Sequence, residues 1–144
     1  MRRRLATVIA ISLAVSLTIG DAFAEKEPQE NLKQIMQGMQ TDMSAILGGL
    51  FTGNLEQVAT SAKSIAYHPP IPASQAQKIS ATLGPQMSNF AQLDRQVHGQ
   101  ALAVLAAADK KDEKKVAEAF QQLVDGCLAC HQSYKDQLSR RLNQ

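Results

Sequence analysis

The chain has 144 residues with 15 basic and 13 acidic side chains, a formal charge of +2, 44% apolar and only 4% aromatic residues, and no tryptophan. So small a charge excess gives no argument for nucleic acid or an acidic membrane surface as a partner, and neither is expected. Two cysteines exclude the disulfide framework of a small secreted scaffold, and the length suits one domain that buries roughly two-thirds of its unfolded surface.

Met1 and three arginines open the chain, followed by an uncharged apolar run from Leu5 to Ile19 and then Asp21-Ala22-Phe23-Ala24. This order of charged, apolar and small residues is that of a secretory signal, with cleavage expected after Ala24. The apolar run is shorter than the ~20 residues a spanning helix needs, so no membrane attachment is expected once it is removed. Loss of residues 1–24 takes away three arginines and one aspartate, leaving a formally neutral domain, residues 25–144, with 12 basic and 12 acidic side chains.

Glu25 to Pro28 is polar, and Pro28 suits the first turn of a helix, where its missing N–H is not needed. Leu32, Met36, Met39, Met43, Ile46 and Leu50 recur at spacings of three and four, predicting a helix to about Phe51 with one apolar face. Gly53 ends it and Asn54 starts the next, with Gln57 completing a capping box and Leu55, Val58, Ala62 and Ile65 forming the seam. His68-Pro69-Pro70-Ile71-Pro72 cannot continue a helix. A short helix is expected over 74–83, broken by Gly84-Pro85, and a third long helix from Pro85 carries Phe90, Leu93, Val97, Ala101, Val104 and Ala108. The charged run 109–115 reads as a solvated turn. Val116, Phe120, Leu123, Cys127, Cys130, Tyr134 and Leu138 mark the face of the last helix. No strand-like alternation of useful length interrupts this pattern. The expected fold is all-α: an antiparallel up-down-up-down four-helix bundle with an extra short helix between helices two and three.

Cys127-Leu128-Ala129-Cys130-His131 lies on that last seam. Two cysteines three apart with a histidine directly after the second is the spacing that attaches a c-type haem. On a helix the three positions relate as i, i+3 and i+4 and share one face, so a single turn holds both thioethers and the proximal imidazole. The same cysteine pair occurs in thioredoxin-like redox sites, which are expected beside a βαβ pattern, and in zinc sites, which need four ligands. Neither context is present. One covalent haem c is therefore the expected cofactor, filling a core short of large flat side chains, and Gly126 is read as making room for the porphyrin.

A second iron ligand is sought at the same height. His131 is about ten residues, or ~15 Å, from the expected end of its helix, while Met36 and Met39 fall ~12 and ~16 Å from the expected start of the first helix and Met43 ~22 Å. Met36 and Met39 are thus level with the haem, and a thioether opposite histidine raises the reduction potential.

With these residues in hand the chain resembles the class II c-type cytochromes, cytochrome c prime and its low-spin relatives, which carry CxxCH close to the C-terminus of a four-helix bundle. Tyr134-Lys135 matches the family's aromatic followed by a basic residue. The first helix is also similar to that of the soluble periplasmic b-type four-helix cytochrome: Leu32-x-x-x-Met36-x-x-Met39-x-x-x-Met43 follows its Leu-x-x-x-Met-x-x-Leu-x-x-x-Leu, in which the methionine binds iron. That match implies Met36 as the distal ligand, with Met39 second, and Lys135 as a propionate contact. The secretory signal, with haem attached after export, makes a bacterial periplasm the expected location, and an electron carrier calls for a redox partner protein. The resemblance further implies pairing of two copies through the first two helices.

The expected function is electron transfer by one covalent haem held by His131 and Met36, without enzymatic activity. The alternative is a five-coordinate cytochrome c prime that binds nitric oxide or carbon monoxide, with His131 as sole axial ligand. A peroxidase would need distal acid-base groups, and the nearest acid, Asp42, is expected to face solvent. His68 reads as a surface or capping residue and His98 as a satisfied or exposed one, while Lys33 and Arg95 are expected in solvent.

Overall fold

The asparagine before Leu32 starts the first helix: Asn31 Oδ1 accepts from the Gln34 N–H at 3.0 Å, and Gln34 Oε1 accepts in return from the Asn31 N–H at 2.9 Å. This closed capping box satisfies two of the donors that a helix start leaves open. It sets the beginning of α1 (Leu32–Thr52), which Gly53 ends in the left-handed conformation, φ 67°. The computed structural model describes residues 30–142, so the secretory signal and Pro28 lie outside the described residues.

The remaining elements are α2 (Leu55–Ala66), α3 (Ala73–Leu83), a 3₁₀ turn (Gly84–Gln86), α4 (Met87–Asp109) and α5 (Glu113–Leu142). The expected capping box at Asn54 is only half formed. Asn54 Oδ1 accepts from the Gln57 N–H at 3.1 Å, but the Gln57 side chain donates to the Ala45 carbonyl of α1 at 2.9 Å, tying the two helices together instead. Pro85 lies in the 3₁₀ turn rather than at the start of α4. Before α5, Asp112 Oδ1 accepts from the Lys115 N–H at 3.1 Å. That bond, with the neighbouring Lys115 ammonium, holds the Asp112 carboxyl below its usual range. Stability from this cap is therefore present above the ordinary carboxylate pKa and lost as pH falls through the lowered one.

α1, α2, α4 and α5 form the bundle, and α1 and α5 make the least extensive contact of its four neighbouring pairs. Ile46, Val58, Ile65, Val104, Val116 and Leu123 lie at the centre of the main core. A second cluster, Ile79 and Leu83 from α3 with Tyr134 and Leu138 from α5, closes one end. The short helix between the second and third bundle helices thereby covers the C-terminal half of α5. Among the described residues there is no strand, and no helix is long and apolar enough to cross a membrane.

Close approach of α1 and α2 depends on Gly49, which is buried. A Cβ there would stand 2.7 Å from Val58 Cγ2 and 2.9 Å from the Asn54 carbonyl oxygen, and the latter is backbone that cannot swing aside. Gly49→Ala is expected to lower stability by about 1–3 kcal/mol, the usual cost of overpacking. Urea unfolding reads this as a lower midpoint at unchanged slope; a rise of about 1 kcal/mol, as helix propensity alone dictates, contradicts the packing.

Candidate functional site

α5 presents Cys127, Cys130 and His131 within one turn. The turn is held from both sides. Upstream, Leu123 is fully buried in the main core. Downstream, Tyr134 is buried, its hydroxyl accepts from Asn89 Nδ2 at 2.7 Å, and its ring meets Phe90 edge-on with centroids 5.5 Å apart. Cys127 packs against the main core and Cys130 against the second cluster, so the two thiols straddle the boundary between them. Both are half-buried and His131 is exposed.

Burial pushes both thiols up, and the negative charges of Asp94 and Cys127 push Cys130 further. The neutral thiol is the form this environment favours.

On α1, Leu32 packs on the cluster that also holds Cys130, and Met39 and Met43 pack on the core that also holds Cys127. Met36 lies between them in sequence, is half-buried, and is not among the residues packed on either cluster. Counting from helix ends does not give this level. Because α1 begins at Leu32, Met36 is only about 6 Å into it and Met43 about 16 Å. Cross-helix packing is the better guide to height: Leu32 packs on the cluster that also holds Cys130, Tyr134 and Leu138.

Two expectations are corrected and a third is extended. Gly126 does not leave room for a porphyrin: a Cβ there would meet the side chain of Gln100 and, at 3.3 Å, Val97 Cγ2, so its smallness serves the approach of α4 to α5. Gly126 stands i, i+4 to Cys130 and so borders the attachment face, but the space beside it is taken by α4. Gln100 Oε1, against this glycine, is buried without a hydrogen-bond partner among the described residues. Asp42 does not face solvent fully. It is half-buried and burial raises its pKa, because three residues after Met39 it lies at the edge of the apolar face. His98 is satisfied as expected, through Nδ1 to the Ala66 carbonyl at 2.7 Å, but it also stands beside His68 and Asp94, a grouping that separate reading of the two histidines missed. The available signal was the i, i+4 spacing of Asp94 and His98. Lys33, Arg95 and Lys135 are exposed.

Two half-buried thiols and an adjacent imidazole on one turn, set where two apolar clusters meet, are a donor set that fits a flat apolar macrocycle attached through two thioethers. The family model described as Cytochrome C' matches residues 26–135. No curated protein and no solved structure gives a significant match.

In the haem-free folded chain, the raised pKa values and partial burial of Cys127 and Cys130 should slow alkylation by iodoacetamide at mildly alkaline pH relative to the same chain in denaturant. Mass spectrometry of the modified peptides reads both rates, and equal rates contradict the burial described.

Proposed function

Because the chain belongs to the cytochrome c′ family, whose members carry one covalent c-type haem and serve electron transfer or gas binding, generally without enzymatic activity, we propose that it is a periplasmic electron carrier. Its haem iron is held by His131 on one side and Met36 on the other. Cys127 and Cys130 hold the macrocycle through thioethers, and the exposed ammonium of Lys135 serves a propionate. When bound, the haem supplies a one-electron iron couple.

The observation that carries the reading is the position of Met36. The residue before it in the seam, Leu32, belongs with the Cys130 cluster and the one after it, Met39, with the Cys127 core. A thioether at the intervening level, partly withdrawn from water, suits a ligand opposite His131 better than Met39, whose side chain is already packed on the core. Ligation by imidazole and thioether in both oxidation states keeps reorganisation small, and the thioether favours the reduced iron. The partner is a redox protein, reached from the side on which His131 is exposed. Pairing of two copies through the first two helices is compatible with Leu47 and Phe51, which are 43% and 83% exposed on α1.

Met36→Leu should abolish the weak far-red sulfur-to-iron band of the oxidised holoprotein, lower its reduction potential and permit rapid carbon monoxide binding when reduced. Met39→Leu should leave all three unchanged. A wild-type spectrum already high-spin, with rapid stoichiometric carbon monoxide uptake, contradicts the electron-carrier reading and favours the gas-binding one.

A further inference from the structure

The connection 67–72 folds back over α4 and brings His68 to a side of the bundle where Asp94 and His98 stand one helical turn apart. The ligand atoms of the three residues all lie within 4.8 Å of one another, and each residue is half-buried. His98 Nε2 and Asp94 Oδ2 are 3.7 Å apart, and the two imidazole rings are tilted by 42° with centroids at 4.8 Å.

The backbone fixes which nitrogen of each ring is available. His98 Nδ1 is 2.7 Å from the Ala66 carbonyl, and His68 Nδ1 is 2.8 Å from the Pro69 carbonyl. A carbonyl only accepts, so both Nδ1 atoms carry the proton, and each neutral ring then offers an Nε2 lone pair. Donation of the remote N–H to a backbone carbonyl is also the arrangement that orients metal-bound histidines. Two imidazoles and a carboxylate whose ligand atoms stand within 4.8 Å of one another are a donor set suited to a cation.

We propose that His68, Asp94 and His98 form a second metal site, separate from the haem, that binds a divalent late first-row cation of the Zn²⁺ or Cu²⁺ type through two imidazole Nε2 atoms and one carboxylate. Imidazole with carboxylate suits these ions, and three protein ligands leave a position for water. Tetrahedral coordination at 2.0–2.1 Å places ligand atoms about 3.3 Å apart. The His98–Asp94 pair is already near this spacing, and side-chain rotation of His68, carried on an irregular segment, closes the rest. Occupancy ties the proline-rich connection to α4. The site also adjoins the attachment turn, since the charge of Asp94 is felt at Cys130.

The competing arrangement is a protonated His98 paired with Asp94, which binds no metal. Chelator-treated holoprotein, in which the iron occupies His131, is titrated with zinc chloride in a calorimeter. One Zn²⁺ per chain is expected, with His68→Gln and Asp94→Asn each weakening binding by at least about tenfold, the minimum cost typical of disturbing even the outer partners of such sites. His68 lies outside the helices, so its replacement tests the site without threatening the fold. With Cu²⁺ in place of Zn²⁺, paramagnetic resonance should show coupling to two imidazole nitrogens, reduced to one in His68→Gln. Absence of saturable zinc binding in the wild type, or binding undiminished by either substitution, overturns the proposal.

Discussion

Three donors on one helical turn can act on a single prosthetic group only if that turn keeps its rotation about the helix axis. In this chain rotation is opposed on both sides. Leu123, one turn before Cys127, is sealed in the main core, and Tyr134, one turn after Cys130, is held by its bond from Asn89 and by Phe90. Turning α5 by one residue would withdraw two large apolar side chains from contact, at roughly 1.5–3 kcal/mol each. It would also bring the Gly126 position, which is closely fitted to Gln100 and Val97, out of register. The bundle thereby fixes the direction of Cys127, Cys130 and His131 about the helix axis.

The second apolar cluster extends this logic. A bundle of four helices alone would leave the C-terminal half of α5 covered on one side only. α3 supplies Ile79 and Leu83 against Tyr134 and Leu138, and the Leu32 N–H at the start of α1 donates to Gln75 Oε1 of the same short helix at 2.7 Å. α1 is thus anchored at one end by α3 and at the other by α2, through Gly49 and the Gln57 bond to Ala45. Its contact with α5 is slight. The stretch of α1 that carries Met36 is therefore held from both ends, while α1 as a whole touches α5 less than it touches α2.

Much of this was legible in the residues. The three-and-four spacing of apolar positions marks every helix because each has one buried face, and the attachment motif is local, so its geometry follows from helix periodicity alone. The start of α1 was less readable: the sequence reading named only Pro28 for a first turn, and the capping box between Asn31 and Gln34, which begins α1 at Leu32, went unread. Gln57, Gly126 and Asp42 were misjudged for one shared reason. Each is defined by a partner on another helix or by its angle to one, namely Ala45, Gln100 and the edge of the α1 face. The height of Met36 relative to His131 had the same weakness, since counting from helix ends assumes that the ends are flush. The grouping of His68 with Asp94 and His98 depends on how a run of three prolines folds back, and the order of residues does not encode that path in any periodicity.

Family membership establishes the covalent haem; in the proposed reading His131 holds its iron, and the ligand on the other side separates an electron carrier from a gas-binding protein. The most direct measurement is X-ray absorption at the iron edge of the oxidised and reduced holoprotein. A sulfur neighbour beside the nitrogen neighbours of iron in both oxidation states, lost in Met36→Leu, is the result expected. A wild-type iron surrounded by nitrogen alone, with one axial position lacking a protein ligand, contradicts ligation by Met36 and with it the electron carrier.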